Sequence, residues 1–136
     1  MANFSKTTHY EQAMLNHTLL GEVYTPPDKL YLALLTADPG RTGSTVSEIS
    51  DPAYERQLIA FTAAADHAES GSYCQNTLNI DYPQATVDWG NVGYGMVMDA
   101  KTGGNGLYKG AFDVAKQVLA NDYYQCPAGQ VTVVED

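Results

Sequence analysis

Basic residues are scarce in this chain. Seven Lys and Arg stand against sixteen Asp and Glu, a formal net charge of -9. Such a surface repels a polyanion, so direct nucleic-acid binding is not expected. Long apolar runs are also missing: residues 30–35, LYLALL, fall far short of the roughly 20 residues that a membrane-spanning helix needs. Met1-Ala2-Asn3-Phe4-Ser5 lacks a charged region followed by an apolar stretch, so the expectation is a soluble chain made and kept in the cytoplasm. The two cysteines, Cys74 and Cys126, are too few and too far apart for a metal cage or a CxxC motif, and no His lies near either. Free thiols are the default. The alternative is a disulfide, because both stand beside tyrosines at expected strand ends, and strands meeting there would bring them into bridging range.

Catalytic patterns are equally thin. His9, His17 and His67 lie in no recognisable motif, and Asp66 and His67, as neighbours on extended chain, point to opposite faces. No serine sits in a G-x-S-x-G elbow, and Gly103, Gly104 and Gly106 lack the Lys-Ser/Thr ending of a phosphate-binding loop. Positive φ in a tight hairpin explains those glycines better. Asp81, Asp88 and Asp99 are the carboxylates available for glycoside hydrolysis, yet each adjoins a strand end, where Asp caps turns. Asp38, Glu48 and Asp51 raise the possibility of a calcium site, but without EF-hand spacing a solvated loop is the preferred reading. The expectation is a protein without enzymatic activity, cofactor or bound metal.

Tyrosine is what the chain has in quantity, 10 against 3 Phe and 1 Trp. A large ring with a hydroxyl suits half-wet sheet faces and subunit contacts, so Tyr10, Tyr31, Tyr54, Tyr94, Tyr108, Tyr123 and Tyr124 are the candidate interface residues. With 44% apolar and 17% charged residues over 136 positions, one ordered domain spanning 1–136 is expected.

Its first element reads as a helix over about 8–20: Thr8 and Glu11 form a T-x-x-E capping box, Tyr10, Ala13, Met14, His17 and Leu20 recur at helical spacing, and Gly21 stops it. Its apolar stripe must pack on the chain's own sheet or on a neighbouring subunit, and the chain's own sheet is the preferred reading. After Pro26-Pro27, residues 29–36 form a central strand covered on both faces, and residues 37–53 an exposed loop. Further strands are expected at 54–62, 73–80, 85–89, 93–100, 106–112 and 130–135, with 112–119 extended. Residues 89–112 form the clearest unit, a hairpin in which Val92, Tyr94, Met96 and Met98 share one side before the turn at 102–106. About seven strands behind one helix make an antiparallel β-sandwich or barrel.

Several segments carry a resemblance when taken in order: LYLALLTADP at 30–39, AYERQ at 53–57, the region 85–90, DAKTGGNGLYKGA at 99–111 and PAG at 127–129. Together they resemble a family of small tailed-bacteriophage virion structural proteins, of the capsid decoration, head fibre or tail accessory type. The resemblance implies a place in the virion after synthesis in the host cytoplasm. Its first implication is a capsid decoration protein bound to the major capsid protein as a homotrimer. The alternative is a tail, collar or fibre module that binds a host-surface carbohydrate or another tail protein. The resemblance assigns no catalytic residues.

Overall fold

The computed structural model describes residues 3–69 and 71–135. Ten strands and one helix follow in the order β1 (Asn3–Lys6), α1 (Thr8–Leu20), β2 (Leu30–Leu35), β3 (Gln57–Ile59), β4 (Ala65–Asp66), β5 (Ser72–Gln75), β6 (Ile80–Asp81), β7 (Gly90–Met98), β8 (Gly106–Val118), β9 (Gln125–Cys126) and β10 (Thr132–Glu135). The mainly β class with a leading helix is as expected. Strand number and layering differ: eight strands form one curled half-barrel sheet, ordered β3-β2-β7-β8-β1-β10-β5-β4, and β6 pairs with β9 in a separate ribbon.

The curl originates in β1. Asn3 and Phe4 pair in parallel with Thr132 and Val133 of β10, whereas Ser5 and Lys6 pair antiparallel with Lys109 and Tyr108 of β8. Four residues therefore join the two halves of the sheet. On the far side Thr62 N donates to Gln75 O (2.8 Å) and Thr77 N to Ala60 O (3.0 Å), which ties the chain after β3 to the chain after β5.

β2 is covered on both faces, as its unbroken apolar run requires. Leu32 and Leu34 enter the main core with Phe4, Val92, Val97, Phe112 and Val118, while Ala33 and Leu35 form a second cluster with Met96 and Met98. The 92–98 alternation is broken here. A bulge between Val92 and Tyr94 turns Val92 to the main core, away from Met96 and Met98, so the expected four-residue face is divided between two clusters.

Other departures have equally local causes. Residues 73–80 divide into β5 and β6 because buried Asn76 uses its side chain as a hub: Nδ2 donates to Leu78 O (3.1 Å) and Pro127 O (3.0 Å), and Oδ1 accepts from Val131 N (2.9 Å). Residues 85–89 form no strand; Ala85 and Trp89 are buried and bond irregularly to Asp122 O and Val118 O. Of residues 54–62 only Gln57–Ile59 is strand, since Tyr54 N closes a turn on Asp51 O (2.9 Å). The extended reading of 112–119 is right, as β8 runs on to Val118 against Gly90. In the β7–β8 turn Gly103 (φ 63°) and Gly104 (φ 73°) have the left-handed backbone expected of them. Gly106 does not: it is small because a Cβ there would collide with the Met96 sulfur.

The helix has its expected limits, but its cap is one residue earlier. Thr7, in extended conformation, accepts from Tyr10 N at 3.4 Å and donates its own hydroxyl to Gly106 O at 2.6 Å. Gly21 (φ 73°) closes the other end, with Glu22 N bonded to Asn16 O. The 37–53 segment is more tightly held than an exposed loop. It contributes Pro39, Ile49 and Asp51 to the buried set, and its backbone bonds Thr8, Leu34 and Thr36.

Candidate contact surface

Two buried polar clusters hold this fold together. Buried Arg56 makes a two-pronged pair with Glu48, Nε to Oε2 at 2.8 Å and Nη2 to Oε1 at 2.9 Å. Its Nη1 donates to the carbonyls of Ala100 (2.9 Å) and Gly103 (2.7 Å) at the β7–β8 hairpin tip. Glu48 also accepts from the Tyr54 hydroxyl at 2.7 Å, and that oxygen accepts from Leu34 N at 3.0 Å. Burial, reinforced by the Glu48 charge, pushes the Tyr54 phenol well above its ordinary range, while bonding to Glu48 raises Arg56 further.

Asp51 is the second anchor. Its carboxylate accepts from the Thr86 hydroxyl and amide, from Trp89 Nε1 (2.8 Å) and from Ala53 N (2.9 Å). Hydrogen bonds from Thr86 and Trp89 outweigh burial and hold its carboxyl well below the usual carboxylate range. Asp38 closes its own turn on Gly40 N (2.8 Å). The three acids weighed as a calcium site thus serve three separate anchors.

The remaining candidates disperse likewise. Asp81 accepts from Gln125 Nε2 (2.7 Å), Asp88 from Ala120 N (2.8 Å) and Asp99 from Asn105 N (2.7 Å), all ladder or turn contacts. His17 Nδ1 lies 2.8 Å from Glu22 O, the His67 ring meets Tyr73 edge-on at 5.7 Å, and His9 is exposed on α1.

The seven tyrosines fall into distinct settings. Tyr124 is buried in the core against Tyr82 and Phe112, and Tyr54, half-buried, stacks on Tyr82 and meets Trp89 edge-on. Tyr31 and Tyr94 flank the Met96–Met98 cluster. Tyr10 and Tyr108 touch each other at 5.2 Å beneath α1. Tyr123 alone among the seven is openly exposed. Both thiols are free, so the Cys74–Cys126 bridge is not formed: Cys74 lies on β5 opposite Val133, and Cys126 lies on β9 in the core opposite Ile80.

The surface that sequence reading missed is the outer side of α1. No residue of the helix is fully buried. Tyr10, Ala13 and Met14 are half-covered by the sheet, but His17 and Leu20, assigned to the same stripe, are exposed. Leu15 is 56% exposed, Leu19 73%, Leu20 70% and Val23, just past the cap, 91%. Leu15 and Leu19, one turn apart, point away from the Tyr10 side. They line a groove of about 810 Å³ along β1 and β10, bordered by the Lys6–Glu135 (2.7 Å) and Arg41–Glu11 (3.6 Å) ion pairs. The signal was legible: apolar residues occur on both sides of this helix, and one sheet can cover only one side. Among the described residues no helix is long and apolar enough to cross a membrane.

Among curated proteins none matches the chain. Residues 5–134 match the family model described as Podophage GP4 fiber I protein gp80. That span takes in the half-barrel, the helix with its exposed leucines and both buried anchors, so the chain belongs to this podophage fibre protein family, a family of tailed-phage virion structural proteins.

Proposed function

We propose that the protein is a non-enzymatic fibre module of the virion, joined to neighbouring virion chains through the outer face of α1. The exposed pair Leu15 and Leu19, on the side of α1 away from Tyr10 and along the groove with β1 and β10, carries this reading. Single exposed leucines are ordinary, but two in adjacent turns on one helix face, lining one groove, form an apolar surface of the kind that another chain covers. The buried Glu48–Arg56 pair and the Asp51 anchor support it from the other side, because those three buried charged groups are satisfied within the fold. Three copies with α1 facing a common axis would bury this pair in a closed homotrimer, with no open, repeating contact left over.

The test is the double substitution Leu15→Ser/Leu19→Ser. Both side chains are solvent-facing, so thermal unfolding of the isolated protein should stay near wild type, while oligomerisation and incorporation into particles should be lost. Normal incorporation of the folded variant would refute the reading. Quantitative mass spectrometry of purified virions separates the fibre from a capsid decoration protein. A copy number matching a few appendages fits the former, and one matching the whole shell fits the latter.

A further inference from the structure

The half-barrel is not completely filled. Between α1, the connection through Tyr24 and the concave side of the sheet lies a pocket of about 470 Å³. Its inner wall is formed by Val97, Leu107 and Val133, all buried core residues of three different strands. At its mouth Tyr10, Tyr24 and Tyr108 make a ring cluster, with centroids 5.6 Å apart for Tyr10–Tyr24 and 5.2 Å for Tyr10–Tyr108. The Tyr10 ring contacts both Tyr24 and Tyr108, so three phenols gather on one side of the space. Cys74 of β5 supplies part of the wall. Among the described residues no Asp, Glu, Lys or Arg lines the space; the one ionisable nitrogen base there is His17, whose Nδ1 lies 2.8 Å from Glu22 O.

This pocket lies within the size range of small-molecule sites, which favour the mouths of β-barrels and combine apolar walls with a few converging polar groups. A lining without carboxylate, ammonium or guanidinium groups selects the ligand's chemistry. A charged molecule would lose its hydration with no counter-charge, whereas water held against these walls is readily displaced by an apolar body. We infer that the pocket binds an uncharged, predominantly apolar small molecule with a hydroxyl or carbonyl oxygen at one end, its body against Val97, Leu107 and Val133 and its oxygen at the tyrosine hydroxyls. This inference is independent of the adhesive role of the outer face of α1.

The test titrates the full-length protein with 2-naphthol and with naphthalene, following fluorescence, and measures N-ethylmaleimide labelling of Cys74 by peptide mass. 2-Naphthol should bind saturably and several-fold more tightly than naphthalene, and should slow Cys74 labelling several-fold. Cys126 is the internal control, since burial pushes its thiol up to about 12 and its labelling should stay low throughout. Met14→Trp, which fills the pocket from the helix side, should abolish binding. Tyr24→Phe, a milder change that keeps the ring, should narrow the preference for 2-naphthol. Absence of saturable binding, or binding that leaves Cys74 labelling unchanged, would overturn the inference. Equal affinity for the two probes would overturn the assignment of the ligand oxygen to the tyrosines.

Discussion

Arg56→Met puts the heaviest demand on the structural reasoning. The guanidinium joins three segments distant in sequence: Glu48 in the 37–53 loop, the approach to β3, and the hairpin tip at Ala100 and Gly103. Met keeps the length and apolar volume of the side chain but removes every one of those bonds. The Glu48 carboxylate, only 15% exposed, then retains the Tyr54 hydroxyl as its side-chain partner. Removing one member of a buried ion pair costs about 3–5 kcal/mol, a large fraction of the roughly 5–15 kcal/mol that holds a domain together. For a chain of this size the fall in Tm is on the order of 10 °C. Lys101→Met is the control: its pair with Glu55, at 3.4 Å with both side chains more than half exposed, contributes about 0–1 kcal/mol. Urea denaturation of wild type, Arg56→Met, Glu48→Gln and the double variant completes a cycle, in which the double variant should be clearly more stable than the sum of the single losses. Additive losses, or an Arg56→Met midpoint indistinguishable from that of Lys101→Met, would refute the claim that this pair clamps the loop to the hairpin.

Gly104→Val should destabilise the β7–β8 hairpin, because φ 73° is strained for a β-branched residue and its Cβ would meet Asp99 and Ala100; an unchanged Tm would reject that turn geometry. Gly95→Ala should cost about 1–3 kcal/mol by overpacking, since the added carbon would lie 2.7 Å from Phe112 Cζ and 3.1 Å from Phe4 Cζ; denaturant midpoints measure it, and a neutral result would mean that the sheet there is looser than described. Asp51 gives the pH dependence. Its folded pKa is depressed, so its contribution is present above the unfolded value of about 4 and is lost as pH falls toward the folded value. Asp51→Asn should therefore be less stable than wild type at neutral pH and lose less on acidification, and parallel stability curves down to about pH 2 would contradict that sign.

What could be read from the residues in order was the part that neighbours dictate. Periodicity and turn residues gave the helix limits, the buried strand at 30–35 and the long β7–β8 hairpin, including the extended course of 112–118. They did not give the Asn76 hub, which divides one expected strand into two, because its partners at Pro127 and Val131 lie about fifty positions away. Nor did they give the ring packing in which Tyr54 meets Tyr82 and Trp89 while Tyr124 meets Tyr82. The family was legible as a resemblance, since ordered motifs along the whole chain survive without knowledge of their contacts.

Acidity, β-rich character and a leading helix follow from composition or from side chains a few positions apart. Long-range packing sets which side of α1 is covered, that Leu15 and Leu19 face outward, and that a pocket remains beneath Tyr10. Those outcomes depend on β1 bonding β8 with one half and β10 with the other, which curls the sheet and sets how much of its concave side one short helix can fill.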